Sequence, residues 1–228
     1  MAVAFDARSE ATTNGATSLS WSHTCTGSDR VLYVAITHEN GSTDVDAVTA
    51  TYNGVSMAIF FTDTTTNANK HTRVFRLVAP ATGANTIALD WGGLNRAFSA
   101  VAASFTGVDQ TTPDDAQQAE TNDLSGSTNQ DRASAVGDMV VDVFVAASSV
   151  AGVAVNDGNT EINQIFASQT ARGVAMSYEA GATTVTIGWA WTSGFTNFIH
   201  WTWNVNAATG GGTAVPVFTY NLRQQGIA

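Results

Sequence analysis

The chain's capacity for chemistry rests on six tryptophans, a scatter of carboxylates, four histidines and one thiol. Trp189 and Trp191 share a face of one period-two run, and Trp201 and Trp203 share a face of another. Flat indole faces stack on the C–H faces of sugar rings, so Trp189, Trp191, Trp201 and Trp203 are candidates for carbohydrate binding. The same spacing also describes the buried inner face of a sheet, or a face covered by another subunit. Asp109, Asp114 and Asp115 lie close together and could bind Ca²⁺ through carboxylates and loop carbonyls, although no EF-hand spacing is present. Asp44 and Asp46 share a face if their stretch is extended, as paired glycosidase carboxylates would, but they sit at a loop edge without aromatic neighbours and read as a solvated turn. Asp138 and Asp142 flank a strand and read as facing solvent or pairing with an arginine.

His23, His38, His71 and His200 show no compact metal-ligand spacing, and Cys25 has only His23 near it. Cys25 reads as a structural thiol, since a nucleophile needs a base and a lowered pKa. With one cysteine, no intrachain disulfide forms. No Gly-rich phosphate loop opens a helix, and no Gly-x-Ser-x-Gly elbow is present. The expectation is a protein that is not an enzyme and carries no cofactor beyond the Ca²⁺ candidate.

Positioning these side chains falls to strands. Only 12% of the 228 residues are charged, and Lys70 is the single lysine. Thr, Ser, Asn and Gly supply the polar surface instead, which suits β-structure better than helix. The formal net charge of −10 leaves no basic stripe for nucleic acid and disfavours an anionic membrane surface. No apolar run reaches the roughly 20 residues of a membrane-spanning helix. Met1–Asp6 lacks the basic and apolar regions of a signal peptide.

Arg30–His38 is nearly continuous in apolar residues, which predicts a central strand covered on both faces. Asn53-Gly54 predicts a type I′ hairpin turn between Val45–Tyr52 and Val55–Phe61. Further strands are expected at Lys70–Val78, Asn85–Trp91, Arg96–Phe105, Asp138–Ala147, Ile162–Phe166, Arg172–Glu179, Thr183–Trp191 and Asn197–Val205. Asp109–Arg132 reads as the least structured part, with at most one short edge strand. About twelve strands separated by short polar connections predict a two-layer antiparallel β-sandwich, a jelly roll, over residues 1–205. No sharp repeat and no domain boundary is visible before residue 206. Residues 206–213, with Gly210-Gly211-Gly212, predict a hinge. Residues 214–228 then form a C-terminal strand or arm, with Val215, Val217, Phe218, Tyr220 and Leu222 as its assembly residues. That arm folds back on its own sandwich or adds to an edge of a neighbouring subunit.

Several segments carry a family resemblance: Leu19–His23 with Gly27–Leu32, Val48–Gly54, Leu77–Pro80 with Gly83, Ser104–Pro113, Gly137–Asp142 and Ser177–Trp189. Together they resemble the concanavalin A-like jelly-roll domains of bacterial surface and secreted proteins and of bacteriophage structural proteins. The resemblance spans residues 17–205, with Ser104–Pro113 the most specific block. It implies an all-β sandwich and offers no shared catalytic residues to carry over. Such domains serve as modules of surface proteins and as shell or fibre components of viruses. The missing signal peptide and catalytic constellation, the sparse charge and the arm favour a non-enzymatic virion protein, a capsid decoration or outer-surface component, located on the virion surface. Its partners would be copies of itself in a closed oligomer such as a trimer, and a capsid or other virion protein. The alternative is a carbohydrate-binding adhesion module of a tail fibre or bacterial surface protein, extracellular and bound to a surface glycan.

Overall fold

Alternation of side chains along extended segments dictates where each strand can bury itself, and the computed structural model is β-structure throughout its described elements. The structure describes residues 1–38, 48–63, 71–93, 95–146, 150–156, 158–166, 173–192 and 196–208. Among the described residues, seventeen strands run in chain order. The first nine are β1 (Ala4–Ala16), β2 (Ser18–Cys25), β3 (Val31–His38), β4 (Thr49–Tyr52), β5 (Val55–Ser56), β6 (Ala58–Asp63), β7 (His71–Val78), β8 (Gly83–Asp90) and β9 (Arg96–Thr106). The remaining eight are β10 (Gln118–Ser125), β11 (Ser127–Ala133), β12 (Met139–Ala146), β13 (Ala154–Val155), β14 (Thr160–Ile165), β15 (Gly173–Ala180), β16 (Thr184–Ala190) and β17 (Thr196–Val205).

The strands form four antiparallel sheets, with orders β2-β8-β4-β5, β1-β9-β3-β7-β6, β10-β17-β12-β15-β14 and β11-β16-β13. Three apolar interiors join these sheets in series. Leu32, Val34, Ile36, Phe98 and Ala100 of the second sheet meet Tyr52, Ile87 and Leu89 of the first. The opposite face of the second sheet, through Val31, Tyr33, Val101 and Phe105, meets Val141, Val143, Val174 and Trp203 of the third. Phe144, Ala175 and Phe198 of the third then meet Trp189 of the fourth.

The expected all-β, antiparallel, two-layer sandwich packing holds, but as two sandwich-like halves sharing a middle core in place of one sandwich of about twelve strands. The halves repeat one plan. In the first, β1 pairs with β9, β2 with β8, β3 with β7 and β4 with β5. In the second, β10 pairs with β17, β11 with β16 and β12 with β15. Each half is thus a ribbon of nested antiparallel pairs rolled over itself. The repeat extends to single residues. Trp91 donates its backbone N–H to Thr17 O just before β2, and Trp191 does the same to Gly126 O just before β11. Trp91 then packs on Phe98, and Trp191 on Phe198, with ring centroids 4.2 and 5.4 Å apart.

Some local expectations hold. All eight residues of β3 are buried, because it lies in an inner sheet. Thr51 and Tyr52 pair with Ser56 and Val55, and Asn53 and Gly54 both take positive φ (51° and 75°), as a type I′ turn requires. The stretch expected to be least structured instead contributes β10 and β11. Of residues 206–213, the first three are fixed. Asn206 N donates to Pro113 O, Ala207 N to Asp138 Oδ1 and Ala208 N to Gly107 O. The arm residues Val215, Val217, Phe218, Tyr220 and Leu222 lie outside the described residues, as do Asp44, Asp46 and Lys70.

Candidate functional site

The four candidate sugar-stacking tryptophans are packed inside the molecule. Trp189 and Trp203 are fully buried and Trp191 nearly so. Trp189 and Trp191 line the interior of the second half, and Trp203 lies in the middle core. Trp201 is partly buried; its ring stacks on Phe61 at 4.7 Å and its Nε1–H donates to Asp63 Oδ2 at 2.9 Å. Trp189, Trp191 and Trp203 leave no open indole face of the kind a sugar ring needs, and one face of Trp201 is taken by Phe61. Their period-two spacing was legible, and it is the inner faces of two sheets that they fill.

The calcium candidates do not converge. Asp114 accepts from Tyr33 Oη (2.8 Å) and Arg76 Nη1 (2.5 Å), tying β3 and β7 to the connection between the halves. Asp109 accepts the backbone N–H groups of Thr111 and Thr112, which hold its carboxyl below the usual range. Asp115 accepts from Asn206 Nδ2 at 3.0 Å. Among the described residues, no group of three or more His, Cys, Asp or Glu side chains is placed to hold a metal. Cys25 is fully buried, and burial pushes its thiol pKa up, against the direction a nucleophile needs.

Two polar clusters stand out, and neither was predicted. The first lies beside β1. Ser104 Oγ donates to Asp6 Oδ2 at 2.8 Å, so it accepts from His23 Nε2–H at 3.1 Å. His23 Nδ1 is then the acceptor for Ser9 O–H at 2.8 Å, and Ser9 Oγ accepts from Trp21 Nε1 at 2.8 Å. Burial drives His23 down to about 4, with Asp6 opposing, so the ring is neutral at pH 7.

The second cluster fills the interior of the C-terminal half. Asp142, read as solvent-facing or Arg-paired, is fully buried. Its Oδ1 accepts from Ser177 N (2.7 Å) and Ser177 Oγ (2.9 Å). Its Oδ2 accepts from Trp189 Nε1 (2.8 Å) and His200 Nε2 (3.0 Å). With Nε2 donating, His200 Nδ1 accepts from Thr128 Oγ1 at 2.9 Å. Thr202 Oγ1 donates to Gln130 Oε1 at 3.2 Å, and Gln130 Nε2 donates to His200 O at 2.8 Å. The misreading of Asp142 has a physical cause: alternation with Val141 and Val143 marks the wet face only in a two-layer sandwich, and here a further sheet covers that face.

The hydrogen-bond order Thr128–His200–Asp142 is that of a nucleophile, its base and the base's orienting carboxylate. Thr128 is 3% exposed and the other two are 0% exposed, so the cluster is closed off from solvent in this structure. An open polar hollow lined by Asp29, Val108, Asp109, Gln110, Thr111 and Ala208 lies where the last strands of the two halves end. No protein-family model, no curated protein and no solved structure matches this chain.

Proposed function

We propose that this chain is a non-enzymatic structural protein of a virus particle, a capsid decoration or outer-surface component. In this reading each half is a jelly roll, the two stand back to back, and the C-terminal arm joins copies into a closed oligomer. The observation that carries it is the nested strand plan used twice around one shared core. A four-layer block of sheets makes a rigid brick, and its sheet edges offer backbone groups for strand addition. Among the described residues, β1 and β6 end one inner sheet, and β10 and β14 end the other. The polar side chains with catalytic potential are engaged in holding sheets together. The strongly acidic, lysine-poor composition suits a soluble surface component.

The test compares the full chain with a truncation ending at Ala208, which keeps the Ala208–Gly107 hydrogen bond. Light scattering coupled to size exclusion should give a discrete oligomer for the full chain and a smaller species for the truncation. Equal monomers at high concentration would remove the arm as an assembly device. The glycan-module alternative has no observation in its favour, since the four tryptophans that suggested it are packed against protein.

A further inference from the structure

We propose that Thr202 and Gln130 join in an intramolecular ester that ties β17 to β11. The site is the interior cluster of the C-terminal half, and comparison with the N-terminal half isolates it. The strands β3 and β12 are equivalent: Val31 pairs with Val78 and Phe105, and Met139 pairs with Ala180 and Val205. Their fourth residues are Val34 and Asp142. The ladder partners of those two residues are Ala102 and Thr202. Two residues earlier on β9 and β17 stand Ala100 and His200. On the facing strands, Leu19 and Trp21 of β2 match Thr128 and Gln130 of β11. One half builds this place from Val, Ala, Leu and Trp, so the fold does not require polar groups there. The other half buries Asp142, His200 and Thr202 completely, with Gln130 only 4% exposed. A buried polar network is often no more stable than its apolar replacement, which points to a purpose other than stability from hydrogen bonds alone.

The geometry supplies an acyl group and a nucleophile side by side. Thr202 Oγ1 lies 3.2 Å from Gln130 Oε1, and the bond from Nε2 to His200 O fixes the plane of the amide. A hydroxyl held against a carboxamide in one orientation has a very high effective concentration. Thr202 Oγ1 bonds to Gln130 Cδ, the Cδ–Nε2 bond breaks, and the hydroxyl proton ends on the departing nitrogen, which leaves as ammonia. Neither an oxidant nor water is consumed. Asp142 stands directly across the ladder from Thr202 and His200 two residues away on the same face, so an acid–base pair borders the reacting groups. The surrounding Val140, Val185, Ile187 and Trp189 are buried, which keeps water from hydrolysing the product.

The test is mass spectrometry of the folded full-length chain after incubation at neutral pH. The chain should weigh less than its sequence by one ammonia. Trypsin should release Ala97–Arg132 joined to Gly173–Arg223, because neither segment contains an internal Lys or Arg. Alkaline hydroxylamine should separate the two. Thr202→Ser should still link, whereas Thr202→Val and Gln130→Leu should give separate peptides and a lower melting midpoint. The apolar residues at the matching places of the N-terminal half make both of these variants compatible with folding. A folded wild-type chain of full mass overturns the proposal. So does loss of ammonia with the two peptides unjoined, which would place the loss at an asparagine instead.

Discussion

His23 shows how a single buried ring can govern response to pH. Both of its nitrogens are engaged, by Ser9 and Ser104, and the imidazole is almost wholly shielded from water. Desolvation lowers its pKa to about 4 against the nearby Asp6 carboxylate, which favours the charged form. In the unfolded chain the ring takes up a proton near pH 6.5; in the folded chain it does so only near pH 4. Between these values the unfolded state holds more protons, so stability falls as pH falls through that window. The full effect is about 3 kcal/mol, and it is absent above the unfolded value. Urea unfolding from pH 7 to 4.5 should show a steeper loss in the wild type than in His23→Gln. Parallel curves for the two proteins would mean that the ring titrates as it does in water. The four histidines were visible as residues, yet their roles were not. His23 meets Ser104 from β9, and His200 meets Asp142 from β12 and Thr128 from β11. Such partners are brought together by register, and spacing within one strand carries no trace of them.

Strand pairing at close quarters explains what the sequence does and does not reveal about elements. The Asn53-Gly54 turn and the doubly buried β3 were legible because one dipeptide or one apolar run carries the whole physical cause. By contrast, β1 reads Ala-Phe-Asp-Ala-Arg-Ser-Glu-Ala-Thr-Thr-Asn-Gly-Ala and has little apolar content. It is a strand because β9 pairs with it from Ala4–Thr106 to Ala16–Arg96, a long-range contact no local window contains. The same holds for β10 and β11, whose partners β17 and β16 lie far along the chain. The β11–β16 pair also sets a steric limit. A Cβ placed on Gly188 would fall 2.1 Å from Thr128 O and 2.1 Å from Asn129 Oδ1. Backbone cannot yield as a flexible side-chain tip can, so Gly188→Ala should push β16 away from β11. The expected cost is about 1–3 kcal/mol, read as a lowered thermal midpoint by circular dichroism. Gly54→Ala is the control: nothing lies within 4 Å of its Cβ, and only the positive φ of 75° opposes it. A smaller loss at Gly188 than at Gly54 would mean that the pair has room to spare.

At the scale of the whole molecule, the decisive feature is the middle core, which belongs to both halves. Val31, Tyr33, Val101 and Phe105 come from the first, and Val141, Val143, Trp203 and Val205 from the second. The rolled ribbon of each half closes its own interior, but it leaves an apolar sheet face that only the other half covers. Further links reinforce the seam. Arg8 donates to Ile162 O, Phe5 stacks on Tyr178 at 5.3 Å, and Val108 bridges to Ala207 where the two final strands end. The sequence concealed this plan because equivalent positions kept their burial while changing their chemistry, Val34 against Asp142 being the clearest case. Energetically, neither half can unfold without exposing the partner's inner sheet to water, at roughly 25 cal/mol for each Å² of apolar surface. The halves should therefore unfold together despite their separate interiors. Near-ultraviolet and far-ultraviolet circular dichroism should trace one coincident transition in guanidinium, and the calorimetric and van't Hoff enthalpies should agree. Replacing Tyr33 with Ala should shift that single transition to lower denaturant without splitting it, since its ring touches Phe60 and Phe105 on one side and Trp203 across the seam. Two separated transitions in the wild type would mean that each ribbon is stable with its inner face bare, and the shared core would then be a docking surface between two domains.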